Sequence, residues 1–264
     1  EFLYYFLSRE EFRFEGAKRM TGAVGHKRVS KEYIEESIIP LPPLPEQKRI
    51  VSVLDNAFES ISVAKNNAEK NLKNARELFD SYLENISAEK KSIGEFVKIT
   101  TGKLDANAAV EGGEYPFFTC SREILSIDNY AFDCEAILLA GNNAVGDFNV
   151  KHYDGKFNAY QRTYVITVNE KNGILYRYLY FQMINSLKEF KEKSVGAATK
   201  FLKLGMIQNL RIPLPPLSEQ KSIVEKLDAL SAETKKLETI YQQKLNDLDE
   251  LKKSILDKAF KGEL

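Results

Sequence analysis

The chain has 264 residues, enough for one or two domains with their own hydrophobic cores. Its 38 basic and 38 acidic residues balance, which argues against a protein that holds nucleic acid over its whole surface by charge but leaves room for a local basic face. We expect no membrane contact and a reducing, cytoplasmic location, because no apolar run could span a bilayer, no signal peptide is recognised, and Cys120 and Cys134 are too few for a disulfide framework.

The first 38 residues combine an aromatic, helical pattern with a basic loop. Residues 1–14 are rich in aromatic side chains, and residues 16–29 mix glycines with basic residues. The same order recurs later, where an aromatic-rich helix at 174–190 precedes a small-residue loop at 194–204. Residues 1–38 are therefore interpreted as the tail end of a unit whose front part is missing.

A block that occurs twice organises the chain. Residues 39–55 read IPLPPLPEQKRIVSVLD and residues 212–228 read IPLPPLSEQKSIVEKLD, at an offset of 212 − 39 = 173 residues. Recurrence over this length indicates an internal structural repeat. In each copy a proline run, stiff because its φ angles are fixed, precedes a helical pattern. Pro45 suits a first helical turn, and Ser218 followed by Glu219 suits a helix N-terminus.

Two long helices are predicted at residues 46–86 and 219–260, each about 60 Å long at 1.5 Å per residue. Apolar residues recur in both at the heptad spacing of a coiled coil. The first stripe is Ile50, Leu54, Ala57, Ile61, Ala64, Ala68, Leu72, Ala75, Phe79, Tyr82 and Ile86. The second is Leu227, Leu230, Thr234, Leu237, Tyr241, Leu245, Leu248, Leu251, Ile255 and Ala259. We expect the stripes to pack against each other as an antiparallel coiled coil; the alternative is two helices lying on separate cores.

Residues 91–212 are the one complete globular candidate. Their pattern of short strands and many turns predicts a mixed α/β domain, so the fold class of the chain is α+β with two long helices. Strands are predicted at 93–99, 115–119, 136–140 and 163–166, with strand-like alternation also between 145 and 153. The aromatic-rich helix at 174–190 closes the unit.

No catalytic constellation is visible. His26 and His152 are the only histidines, which gives no basis for a histidine-rich metal site or a Ser-His-Asp triad. Residues 141–146 carry the two glycines of a phosphate loop, but Asp147 follows where that motif needs lysine and serine or threonine. We therefore expect no enzyme activity, no metal and no cofactor.

The repeated proline run with Glu-Gln, the long helix behind it and the closing KSILDKAFKGEL at 253–264 resemble the specificity (S) subunit of type I restriction-modification enzymes. Members of that family carry two target recognition domains, each reading half of a split DNA site, with two conserved helices between them. The resemblance implies that 91–212 is one complete target recognition domain and 1–38 the C-terminal remnant of another. It implies that 39–90 and 213–264 each hold a proline spacer and a conserved long helix.

The resemblance also implies a function. The chain would recognise a site or half-site on double-stranded DNA and direct methyltransferase (M) subunits to it, with restriction/translocase (R) subunits joining through the M subunits. Self-association is a further expectation. The alternative is a coiled-coil scaffold whose middle domain binds another protein, which the balanced charge favours. Steep weakening of DNA binding with salt would separate the two.

Candidate DNA contacts are polar side chains on predicted turns and strand ends, where arginine, asparagine and glutamine suit base edges and lysine suits phosphate. They are Lys103, Arg122, Asn142, Asn143, Lys151, Tyr160, Gln161, Arg162, Thr199 and Lys200. Gln161 and Arg162 are the preferred base readers because they stand at the entrance of the strand 163–166. Neighbouring strand residues point to opposite faces, so we expect only one of the pair to face DNA.

Overall fold

A computed structural model describes residues 1–22, 25–169 and 173–264. The chain divides into two compact units, Glu1–Arg76 with Thr234–Leu264, and Glu77–Glu233. Within the described residues no helix has the length and apolar character needed to cross a membrane.

Short helices precede the first proline run. Helix α1 spans Phe2–Ser8, α2 Glu10–Lys18 and α3 Lys31–Glu35. The helical pattern predicted for residues 1–14 is present, but an extended residue, Arg9, divides it. Helix α2 also continues into the segment predicted to be a loop.

Helix α4 spans Leu44–Glu84 and helix α8 spans Leu217–Lys261, which confirms the two long helices. Their first residues lie 217 − 44 = 173 positions apart. The repeat is therefore structural as well as sequential.

A glutamine explains why the repeated motif keeps its form. The Nε2 of Gln47 donates to the carbonyl oxygen of Pro42 at 2.8 Å, and the Nε2 of Gln220 donates to that of Pro215 at 2.9 Å. A proline carbonyl has no ladder partner here, so the side chain of the following helix satisfies it. In both copies this bond fixes how the stiff proline run enters the long helix.

The long helices pack antiparallel, as predicted. In the first unit, Lys65 on α4 forms an ion pair with Asp249 on α8. Nearer the start of α4 and the end of α8, one apolar core joins residues of both helices and of α1. Its buried members are Phe2, Phe6, Ile50, Val51, Leu54, Leu256, Ala259 and Phe260. Numbers rising along α4 therefore meet numbers falling along α8.

One member of the predicted stripe is wrong. Leu251 is 47 % exposed, whereas Leu256 and Phe260 are buried beside Ala259. Near its end, α8 packs against α1 as well as α4. Contact with two helices broadens the buried face beyond a heptad seam, and the core shifts off the predicted position.

The second unit is built on a six-stranded sheet with strand order β2-β8-β5-β7-β3-β4. The first short strand, β1, spans Lys90–Ser92 and pairs with the last, β10, Arg211–Pro213. The sheet strands are β2 Val97–Thr101, β3 Tyr115–Phe118, β4 Leu125–Ile127, β5 Phe132–Ala140, β7 Val150–Ala159 and β8 Thr163–Val168. The remaining elements are β6 Asn142–Asn143, α5 Tyr176–Asn185, α6 Leu187–Lys193, β9 Lys200–Phe201 and α7 Leu204–Gln208.

Four predicted elements have clearly different bounds. The strand expected at 136–140 starts four residues earlier, at Phe132. The strand expected at 93–99 starts only at Val97, because Ile93–Glu95 forms a 3₁₀ turn in which the Glu95 carboxylate accepts the Ser92 N–H at 3.3 Å. The strand-like segment 145–153 starts at Val150. The helix expected at 174–190 is two helices, broken at Ser186.

Both faces of strand β5 are buried. Ile137 and Leu139 belong to the large core that also contains residues of α5, whereas Ala136 and Leu138 face a smaller core. The smaller core holds Phe118, Phe157, Ala159 and Val165, which come from three other strands. The sheet therefore has a second core on the face opposite the large one.

Candidate nucleic-acid interface

Several strands begin or end on the same side of the six-stranded sheet. In the pairing of β5 with β8, Ala140 lies opposite Thr163, and in the pairing of β2 with β8, Thr101 lies opposite Tyr164. The segments that follow β2 and β5 therefore flank the turn that precedes β8. We call this region the loop edge, which comprises residues 102–105, 120–122, 141–147, 160–162 and 199–201.

Two glycines allow the loop edge to close. A Cβ on Gly102 would lie 1.8 Å from the carbonyl oxygen of Ala159, and one on Gly141 would lie 2.4 Å from that of Arg162. The Gly141 N–H instead donates to the Arg162 carbonyl at 2.9 Å. No side chain fits at either position, so the backbones of these loops approach each other directly.

Gln161 and Arg162 lie in the tight turn between β7 and β8. The Thr163 N–H donates to the Tyr160 carbonyl at 2.8 Å, and the Gln161 N–H donates to the Leu104 carbonyl at 2.8 Å. The pair is thus at the entrance of the strand, but on a turn. Strand alternation does not decide which of the two faces outward; their side-chain partners do.

Those partners differ. The Nε2 of Gln161 donates to the carboxylate of Asp105. The guanidinium carbon of exposed Arg162 lies 5.2 Å from the centroid of the Phe201 ring. A cation–π contact orients an arginine without occupying its hydrogen-bond donors. Arg162 is therefore held in place with its donors available, whereas the amide of Gln161 is engaged.

The short strands β6 and β9 bring four more candidates to the same place. Asn142 lies opposite Phe201, and Asn143 lies opposite Lys200. Thr199 directly precedes this pairing. The sequence separates the two strands by more than fifty residues, and antiparallel pairing removes that separation.

The side chain of Asn143 has an internal role. Its Oδ1 accepts the N–H of Val145 at 2.9 Å and the N–H of Asp147 at 3.0 Å, which closes the loop 143–147. The Asp147 carboxylate then accepts two hydrogen bonds from Nη2 of Arg122, at 2.9 and 2.8 Å. Arg122 and Asp147 are both exposed.

Lys151 is also engaged within the protein. Its ammonium donates to the Ser121 carbonyl and to the Oδ1 of Asn149, both at 2.5 Å. Burial lowers the pKa of Lys151. Lys103, by contrast, is exposed two residues after the end of β2, which suits it to contact phosphate.

Sequence reasoning missed Asp105 and Asp147 as members of the loop edge, and Lys191 as a residue beside it. The Cγ of Lys191 would lie 3.2 Å from a Cβ built on Gly146, so this lysine lies against the loop 143–147. Lys191 belongs to a run of charged residues at a helix end, which gives no local signal. The two carboxylates matter only through their partners, which sequence alone does not reveal.

Within its described residues, the loop edge offers polar side chains for hydrogen bonding but no group of side chains that could bind a metal ion. Among the described residues, no group of three or more His, Cys, Asp or Glu is placed to bind a metal ion. The chemistry on offer is hydrogen bonding and charge, which suits recognition of a polar, anionic surface.

Comparison with known proteins decides the family. The sequence profile described as "Type I restriction modification DNA specificity domain" matches residues 1–74 and 85–247. The chain belongs to this family. The predicted resemblance is therefore confirmed.

Relatives of this specificity-family protein match different shares of its sequence. It is 42 % identical over 172 residues to the type I restriction enzyme EcoDI specificity subunit of Escherichia coli, a match over 65 % of this chain and 37 % of that protein. It is 26 % identical to the MjaVIII specificity subunit of Methanocaldococcus jannaschii, over 100 % of this chain and 70 % of that protein. The chain thus spans between about a third and about two thirds of these relatives.

Solved structures show the same fold. The HsdS subunit from Thermoanaerobacter tengcongensis matches 100 % of this chain and 70 % of its own, with 20 % identity and a TM-score of 0.58. A structure described as the structural basis of complex assembly and conformational transition of the type I R-M system matches 100 % of this chain and 71 % of its own, with 21 % identity and a TM-score of 0.79. The α+β architecture with two long helices is therefore the fold that the specificity family uses.

Proposed function

We propose that this chain is a sequence-specific DNA-recognition subunit of a type I restriction-modification system, with residues 91–212 as its target recognition domain. The observation that carries the proposal is the loop edge, where polar and basic side chains from five separate segments meet. Turns anchored on a packed sheet aim such side chains rigidly, which base recognition requires. Family membership supports the same function.

Within this domain, Arg162 is the proposed principal base reader. It is exposed, oriented by Phe201 and free to use its guanidinium donors. Arginine suits guanine through O6 and N7 in the major groove. Gln161 then acts with Asp105 as a support of the turn, and Lys103 and Lys200 are proposed phosphate contacts.

The long helices are the proposed docking surface for M subunits, with R subunits joining through them. Apolar side chains on these helices remain exposed outside the seam. Those in the first unit are Leu44, Val63, Ile240 and Leu251. Co-purification of the cognate methyltransferase with parent and Val63→Glu chains tests this, with Ser62→Glu as the control at a neighbouring exposed position. Loss of the complex only for Val63→Glu supports docking on the helices, and retention in both contradicts it at this position.

Residues 1–38 are proposed to be the C-terminal part of a first recognition domain. Self-association of two chains would provide two complete recognition domains. Sedimentation of the purified chain over a range of concentrations measures whether such a dimer forms.

The deciding experiment has two parts. Mapping of methylated bases in DNA treated with the assembled enzyme identifies the target. Titration of a labelled duplex that carries this target, against a scrambled duplex at two salt concentrations, then tests recognition by the chain. Preference for the target with affinity that falls steeply with salt supports the proposal. Equal, salt-insensitive binding would favour a scaffold whose middle domain binds protein.

A further inference from the structure

A carboxylate lies on the surface proposed to bind DNA, where its charge is the wrong one for phosphate. Asp147 is 56 % exposed and pairs with Arg122, which is 70 % exposed. An ion pair this open to solvent contributes little to folding stability. Its position on the loop edge calls for a different explanation.

The position of Asp147 is fixed by hydrogen bonds of the loop backbone. Its N–H is bound by Asn143, and Asn143 is held opposite Lys200 by strand pairing. Gly146, immediately before it, has a φ of 74°, a conformation that glycine adopts without strain. The loop is therefore built so that residue 147 points its carboxylate at Arg122.

The pairing leaves part of the arginine available. Both hydrogen bonds to Asp147 come from Nη2 of Arg122. The donors on Nε and Nη1 are not used by Asp147. An acceptor on a base edge can use them while the ion pair stays intact, whereas a phosphate that requires the whole cation must compete with the carboxylate.

We propose that Asp147 is a positioning residue for DNA specificity. Its carboxylate orients Arg122 for contact with a base edge and competes with DNA phosphate for the same guanidinium. This inference rests on the proposed function of the loop edge as a DNA-binding surface. Specificity is the difference between cognate and random affinity, so lowering the random affinity raises it. Asp105, which engages Gln161, stands in the same relation to the neighbouring turn.

The test compares the parent chain with its Asp147→Asn variant on a mixed-sequence duplex. Freed from its carboxylate, Arg122 gains one phosphate contact, and each contact adds about 0.9 to the slope of log affinity against log salt. The loss of affinity between about 50 and about 200 mM salt should then grow about threefold. Selection from a random duplex library, sequenced before and after binding, should show weaker base preference at one or two positions.

Two further variants make the result decisive. Asp133→Asn removes the same charge near the opposite end of β5 and should change neither quantity. Arg122→Gln should reduce base preference while leaving the affinity for mixed-sequence duplex and its salt slope unchanged. If Arg122→Gln instead weakens random binding and lowers the slope by about one, Arg122 is an ordinary phosphate contact and the inference is wrong.

The outcomes also separate this inference from the function on which it rests. A parent chain that binds the library without preference would overturn the proposed function. A parent chain with clear preference, combined with an Asp147→Asn variant that behaves like Asp133→Asn, would overturn only the role of Asp147. Melting of each variant beside the parent shows whether the fold has been kept.

Discussion

Replacement of Arg162 by alanine should reduce sequence preference and leave the fold intact. A bidentate arginine–guanine pair contributes about 1–3 kcal/mol of discrimination. The Phe201 ring, 5.2 Å away, already orients the guanidinium, so little side-chain freedom is lost on binding and we expect about 2–3 kcal/mol, roughly 30- to 150-fold in affinity. On a scrambled duplex the variant should lose little affinity, because contacts to base edges contribute to binding of the target and not to non-specific binding.

The structure predicts that this loss is not caused by unfolding. Arg162 is exposed, and its part in the turn is made by its carbonyl oxygen, which accepts the Gly141 N–H and survives the substitution. The free energy of unfolding should therefore change by less than about 0.5 kcal/mol. Phe201→Leu is the matched variant: it removes the ring but keeps apolar bulk, and it should cost about 1 kcal/mol or less in target binding.

Fluorescence polarisation of labelled target and scrambled duplexes measures both losses. Gln161→Ala should have a smaller effect than Arg162→Ala, because its amide is engaged by Asp105. Equal loss on target and scrambled duplexes for Arg162→Ala would show that this arginine meets only phosphate. A larger loss for Gln161→Ala would reverse the roles given to the two residues.

Three further predictions concern the fold. Leu54→Ala should lower the free energy of unfolding of the first unit by about 3 kcal/mol because Leu54 is fully buried, whereas Leu251→Ala should lower it by less than about 1 kcal/mol; equal midpoints in denaturant would contradict the core assigned to α4. Burial and a hydrogen bond to a carboxylate raise the pKa of Tyr5 to about 12, so the folded state favours the protonated phenol. The contribution of Tyr5 to folding stability is therefore fully present below pH about 10 and is lost as the pH rises towards about 12. Melting at about pH 9 and about pH 11 should show a smaller loss for Tyr5→Phe than for the parent. Gly141→Ala should lower both the melting temperature and target affinity, because its Cβ would lie 2.4 Å from a carbonyl oxygen of the turn, whereas Gly205→Ala, in a helix with open space around it, should not.

The sequence by itself determined the long helices and the repeat. A heptad stripe is a local property, because residues three and four apart share a helix face in any context. Ile50, Leu54 and Ile61 are buried as their spacing predicts. The proline run and the Glu-Gln pair are local as well, and they mark the starts of α4 and α8 without any knowledge of packing.

The heptad spacing gave a wrong prediction where a helix packs against two other helices. Leu251 has the right spacing, but α8 packs there against two helices, and the buried face turns away from it. The break at Ser186 and the 3₁₀ turn at Ile93–Glu95 are similar, because hydrogen bonds made within the fold override a weak local preference.

Only the tertiary structure decided which polar residues form one surface and what each is free to do. Asn143 and Lys200 meet through strand pairing, and Gln161 meets a carboxylate 161 − 105 = 56 residues earlier. These pairings depend on sheet register and on loops closed by glycine backbones, which no period in the sequence encodes. The sequence named Gln161 and Arg162 with equal claim, and it is the contact of one with Asp105 and of the other with Phe201 that distinguishes them.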